Sequence, residues 1–115
     1  MKFGDASVIN GGRMPILIRH IGEVDAPIIV CDHCGKDITE ARDGNYEWRM
    51  TSNDRSAGQQ LYFTHKRCCH AFEQGNRGDF TWGAMGLDQL PLYLANNLKL
   101  NWEAARKSAE VFALI

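Results

Sequence analysis

The chain has 115 residues, of which 44% are hydrophobic and 23% charged, and its formal net charge is −1. This length and balance fit one globular domain, residues 1–115, with a modest core, and they exclude a global polycationic signature for nucleic acid. No apolar run approaches the roughly 20 residues of a membrane span, and Met1-Lys2-Phe3-Gly4-Asp5 lacks a signal-peptide core, so the expected setting is the cytoplasm with no membrane partner.

Residues 1–14 read as a lead-in, with Asn10-Gly11-Gly12 as a turn. Pro15 to Ile21 (PILIRHI) is rich in β-branched residues and predicts a strand. Gly22 to Asp25 predicts a turn, and Pro27 to Cys31 (PIIVC) a second strand able to pair with the first. His20 reads as a strand surface residue. The second strand delivers Cys31 into Cys31-Asp32-His33-Cys34-Gly35. A glycine directly after Cys-x-x-Cys lets the backbone take positive φ and close a tight knuckle whose amides face the thiols.

Beyond the knuckle, Asp43-Gly44-Asn45 signals a turn. Tyr46-Glu47-Trp48-Arg49-Met50 alternates, with Tyr46, Trp48 and Met50 on one face and Glu47 and Arg49 on the other. Thr51 to Gln60 is a polar loop, and Leu61 to Thr64 the returning strand. His65-Lys66-Arg67-Cys68-Cys69-His70 follows. A helix is expected from Lys66 or Arg67 to Gln74, capped by Gly75, with Ala71 and Phe72 buried. Within Gly78 to Gly86, Phe80 and Trp82 are expected to pack on the core. Leu87 to Asn97 predicts a helix with Leu87, Leu90, Leu94 and Leu98 on one stripe and Pro91 in its first turn. Asn101 is a good N-cap for a last helix with Trp102, Ala105, Ala109 and Phe112 on its apolar face.

All four cysteines of the chain lie in the two short runs around residues 31 and 68. In the cytoplasm, paired cysteines bind metal or do redox work more often than they form disulfides. Cys31, Cys34, His65 and Cys68 suit a tetrahedral zinc site, one ion per chain: Cys-x-x-Cys supplies one edge, and His-x-x-Cys at the start of a helix supplies the other. Cys69 is the alternative fourth ligand. Four protein ligands describe a closed, structural zinc, and no carboxylate neighbours a ligand in the manner of a hydrolytic centre, so no catalytic residue is expected and the chain does not read as an enzyme. The competing thiol-redox reading needs Cys-x-x-Cys to open a helix, and Gly35 followed by Asp37-Ile38-Thr39 is poor helix-starting sequence. His33 reads as exposed, and His70 as a surface residue or one beside the ligands, with a ligand role as the alternative.

Arg49, Arg55, Lys66, Arg67 and Arg77 face only Asp54 and Glu73 between residues 49 and 77. Lys66 and Arg67 can offset the formal −1 of a zinc ion held by three thiolates and an imidazole. All five bases, interleaved with Trp48, Tyr62 and Phe63, can instead be read as a face for nucleic acid. The C-terminal helix pair carries only Arg106 and Lys107 on its second member, too few for a recognition helix, so packing or dimerisation is the better reading.

The order knuckle, hairpin, helix, with CDHCG at one end and HKRC at the other, resembles a treble-clef zinc module. Its ligand order is similar to the first zinc site of a LIM domain. The resemblance covers residues 28–75. It departs from LIM in the thirty residues between Cys34 and His65 and in having no cysteines left for a second site. It implies a zinc-stabilised core of β-hairpins and a helix, and a protein-binding role; with the helical pair that the apolar stripes place at 87–114, the expected fold is α+β. The closed ligand set and the leucine stripe lead to the expectation of an interaction module whose target is a protein partner or a second copy.

Overall fold

A computed structural model describes residues 14–51 and 58–111. Residues 1–13 of the expected lead-in, Arg55 and Phe112 lie outside the described residues. The fold is small α+β, with two three-stranded antiparallel sheets followed by a C-terminal helix pair.

The first sheet has the order β1 (Ile16–Ile21), β2 (Val24–Val30), β3 (Asp37–Ile38). The β1–β2 hairpin is tighter than the sequence implies, because Ile21 pairs directly with Val24 across Gly22-Glu23. Gly22 has φ +62°, the left-handed conformation such a two-residue turn demands. Val30 pairs with Asp37, so the knuckle between them is the loop of a second, very short hairpin.

The second sheet has the order β5 (Tyr62–His65), β4 (Gly44–Met50), β6 (Thr81–Gly86). Tyr46 lies opposite Phe63 on one side and Met85 on the other, and its hydroxyl donates to Met85 Sδ at 3.3 Å. This face joins Cys31, Ile38, Cys68 and Leu87 in the buried core. Trp48 stacks on Tyr46 and crosses Gly83, where an added Cβ would lie 2.6 Å from the indole. Gly83 therefore leaves the space the ring occupies.

The opposite face carries Asn45, Glu47 and Arg49 of β4, with Tyr62 and Thr64 of β5 and Trp82 of β6 in register beside them. The alternation in the sequence located both faces, but a polar strand face is ordinarily turned to water. Here helix α1 (Cys69–Gly75) covers it, and Glu47 is completely buried. Phe72 of α1 is buried against Tyr62 and Trp82, with ring centroids 5.6 and 5.2 Å away. Ala71, expected in the core, is exposed on the outer side of the helix. A 3₁₀ turn at Lys66–Cys68 leads into α1, and Asn76, not Gly75, caps its end.

Leu87–Gln89 forms another 3₁₀ turn before α2 (Leu90–Asn97). The leucine stripe is buried only at its start: Leu87 is in the core, whereas Leu98 is 75% exposed. Lys99, at φ +53°, closes α2, with the Leu100 amide reaching back to the Ala95 carbonyl at 2.9 Å. Asn101 then caps α3 (Trp102–Val111), its Oδ1 accepting from the Ala104 amide at 3.0 Å. The described part of α3 buries no residue, so Trp102 and Ala105 do not reach the core as the sequence pattern implies.

Candidate metal centre

Cys31, Cys34, His65 and Cys68 each place one ligand atom within 4.8 Å of the others. The antiparallel pairing of β2 with β3 sets the knuckle at the end of the first sheet. The Gly35 amide donates to the Cys31 carbonyl at 3.0 Å, and the Cys31 amide to the Lys36 carbonyl at 2.9 Å. Gly35 takes φ +76°, which turns the chain back to β3.

The knuckle is fastened to β5 by Asp32. Its amide donates to the Phe63 carbonyl at 2.7 Å, and its carboxylate accepts from the Phe63 amide at 2.8 Å. This brings His65, two residues further on, beside the thiols. Cys31 Sγ, 2% exposed, accepts from the backbone amides of His33, Cys34 and His65 at 3.4 to 3.5 Å. Cys34 sits on the exposed side, with Sγ 3.4 Å from His65 Nδ1. The other ring nitrogen, Nε2, lies 3.2 Å from the Asp37 carbonyl. A carbonyl only accepts, so the proton belongs on Nε2 and the Nδ1 lone pair faces the thiols. That is the arrangement in which a ligating histidine is oriented by an outer hydrogen bond.

The electrostatics of the cluster call for a cation. Burial pushes the Cys34 thiol up, but hydrogen bonds with the Lys36 backbone, Cys31 and Cys68, and the positive charge of Arg67, bring it below its ordinary value. Burial, and then the neighbouring charge of Cys31, push Cys68 up to about 11. Several thiols packed together cannot all ionise unless a cation compensates them. Three sulfurs and an imidazole nitrogen are a donor set that fits Zn²⁺, and the oriented His65 ring and the amide-bonded Cys31 sulfur fit it too.

Cys69, the alternative fourth ligand, lies away from this cluster. Cys68 enters the core on the Tyr46 face, while Cys69 meets Glu47 and Glu73 on the opposite face. His33 and His70 are exposed, and His20 pairs at the surface with Asp25 at 2.8 Å.

Of the five bases, Arg49 stands over the rings of Tyr62, Phe80 and Trp82, 5.2 to 5.9 Å from their centroids. Lys66, Arg67 and Arg77 are exposed. Phe63, expected to offer a stacking surface, is 2% exposed and belongs to the core. Two residues important to the arrangement escaped the sequence reading. Asp32 could have been noticed from its place inside the Cys-x-x-Cys, but Glu47 gave no signal beyond its position in an alternating strand. Among the described residues, no helix is long and apolar enough to cross a membrane. No family model matches the chain, and neither a curated protein nor a solved structure matches it.

Proposed function

We propose that the chain is a small zinc-binding protein whose Cys31, Cys34, His65 and Cys68 hold one structural zinc, and that the domain serves as a protein-interaction module. The observation that carries the zinc reading is the convergence of four soft or borderline donors from the knuckle and from the β5–α1 junction. When bound, zinc would compensate the thiolates and tie the two segments together. The chain's own contribution is to direct the ligands: Asp32 aligns the knuckle with β5, Asp37 orients His65, and Arg67 offsets the excess negative charge. The segment order, a knuckle, a hairpin and then a helix, favours a treble-clef description.

The interaction role draws on the far end of the molecule. Leu92, Leu98, Trp102 and Val111 are each more than half exposed along α2 and α3. An apolar surface of this kind is characteristic of a site that another protein or a second copy covers. The zinc reading is tested by metal analysis of protein purified without chelator. Zinc bound to the wild type, and reduced by one ion per chain on Cys34→Ser substitution, supports it; metal-free thiols that cycle with a dithiol reductant would support the redox reading instead. Sedimentation of the wild type beside a Leu98→Gln, Trp102→Gln double variant tests the second-copy form of the interaction reading.

A further inference from the structure

The cysteine left over by the first centre belongs to a second cluster. Glu47, Cys69 and Glu73 place a carboxylate oxygen, a sulfur and another carboxylate oxygen within 4.8 Å of one another. Cys69 and Glu73 are four residues apart on α1 and so share the helix face that packs on the second sheet. Glu47 rises from β4 to meet them. The chain passes the end of β5 in such a way that Cys68 and Cys69, adjacent in sequence, supply different clusters on opposite faces of that sheet.

Glu47 sets this cluster apart from a surface group of acids. It is 0% exposed, at the centre of a sheet, beneath a helix. One of its oxygens, Oε2, accepts from the Thr64 hydroxyl at 2.6 Å. The other, Oε1, is buried and has no hydrogen-bond donor among the described residues outside the cluster itself. Leaving a buried polar atom unsatisfied costs about 1–3 kcal/mol, and more for a charged one, so folds seldom keep such an atom without a reason. Thr64 anchors Oε2, as the outer partners of metal-bound carboxylates do. The Cys69 thiol donates to Glu73 Oε2 at 3.1 Å, so the two groups already adjoin, and an ion binding between them would displace the thiol proton. Cys69 and Glu73 are only half-buried, which leaves a way in for an ion from solvent.

We propose that Glu47, Cys69 and Glu73 form a second divalent-cation site, selective for borderline ions of the zinc and cobalt(II) class. A thiolate among the donors disfavours magnesium and calcium, which take oxygen ligands. Three protein donors leave a coordination position for water or an external ligand, unlike the four-donor centre beside it. The competing occupant is a proton shared between the Glu47 and Glu73 carboxyls.

Equilibrium dialysis of the full chain against buffered Zn²⁺, followed by metal analysis, separates the two. The wild type is expected to saturate at two zinc ions per chain, and Glu47→Gln and Cys69→Ala at one each. Glu73→Gln, at a half-exposed helix position, should also drop to one, which guards against a fold lost on changing buried Glu47. Glutamine mimics a protonated acid, so a shared proton alone would leave Glu47→Gln with the wild-type count. Saturation of the wild type at one zinc that Glu47→Gln and Cys69→Ala keep, or retention of two by these variants, overturns the proposal. Failure of the first centre reads differently, since it would leave Cys34→Ser with an unchanged zinc count.

Discussion

Cys34→Ser isolates the contribution of the metal because the side chain it alters is exposed. Serine preserves the shape of the knuckle, and the hydrogen bonds that build it run through Cys31 Sγ, Asp32 and the backbone, none of which is substituted. In a metal-free protein, a surface change of this kind falls within about 0.5 kcal/mol. With zinc held among four ligands, of which Cys34 is one, the outcome is very different. Structural zinc in small fingers supplies apparent free energies of about 10–16 kcal/mol, against total stabilities of about 5–15 kcal/mol for ordinary domains. If the variant weakens zinc binding only enough to lose the stabilisation available at a thousandfold excess over Kd, it forfeits about 4 kcal/mol. For a chain of this size that is a fall in Tm of roughly 15 °C or more. The assay is thermal unfolding of both proteins with stoichiometric zinc and again with a strong chelator. Chelator should bring the wild type down to the level of the chelated variant. Equal melting of the two proteins in zinc would refute the reasoning, because an exposed thiol would then be contributing nothing.

Other outcomes follow from the same geometry. Asp32→Ala removes the acceptor of the Phe63 amide and should cost about 1–3 kcal/mol by denaturant titration; an unchanged midpoint would show that the knuckle does not depend on this clamp. Gly35→Ala should cost about 1–2 kcal/mol, since Gly35 has φ +76° and an added Cβ meets nothing within 4 Å, so the penalty is purely conformational. Burial first, and then the facing Glu73 carboxyl, push Glu47 up to about 7 from 4.5. The folded state thus holds the extra proton, and in protein carrying one zinc the stability conferred by Glu47 is present below pH 4.5 and lost as pH rises towards 7. That gap corresponds to roughly 3 kcal/mol. It is read as the wild-type stability minus that of Glu47→Gln, which cancels acid release of zinc from the Cys31 centre; a flat difference would contradict it. Thr64, Cys69 and Glu73 are the groups facing this carboxyl.

The strands and the ligand pairs were legible because local chemistry determines them. β-branched runs bounded by glycine announced β1 and β2, and the spacing of Cys31 with Cys34 and of His65 with Cys68 marked the two halves of one cluster before any contact was known. Asn101 declared the start of α3 by its capping chemistry alone. What stayed hidden depends on which element covers which face. Alternation in β4 placed Glu47 with Arg49 but could not show that α1 would bury one and leave the other exposed over aromatic rings. Periodicity likewise put Leu94 and Leu98 on the stripe of Leu87, whereas Leu94 only lines an open groove facing the first sheet and Leu98 is largely exposed. The choice between Cys68 and Cys69 was equally non-local: it turns on which side of β5 each side chain points where the 3₁₀ turn passes into α1.

X-ray absorption at the zinc edge, on protein loaded with one equivalent, tests the coordination directly. The account predicts three sulfur neighbours at about 2.3 Å and one nitrogen at about 2.0–2.1 Å. A shell of oxygen and nitrogen with one sulfur or none would contradict it.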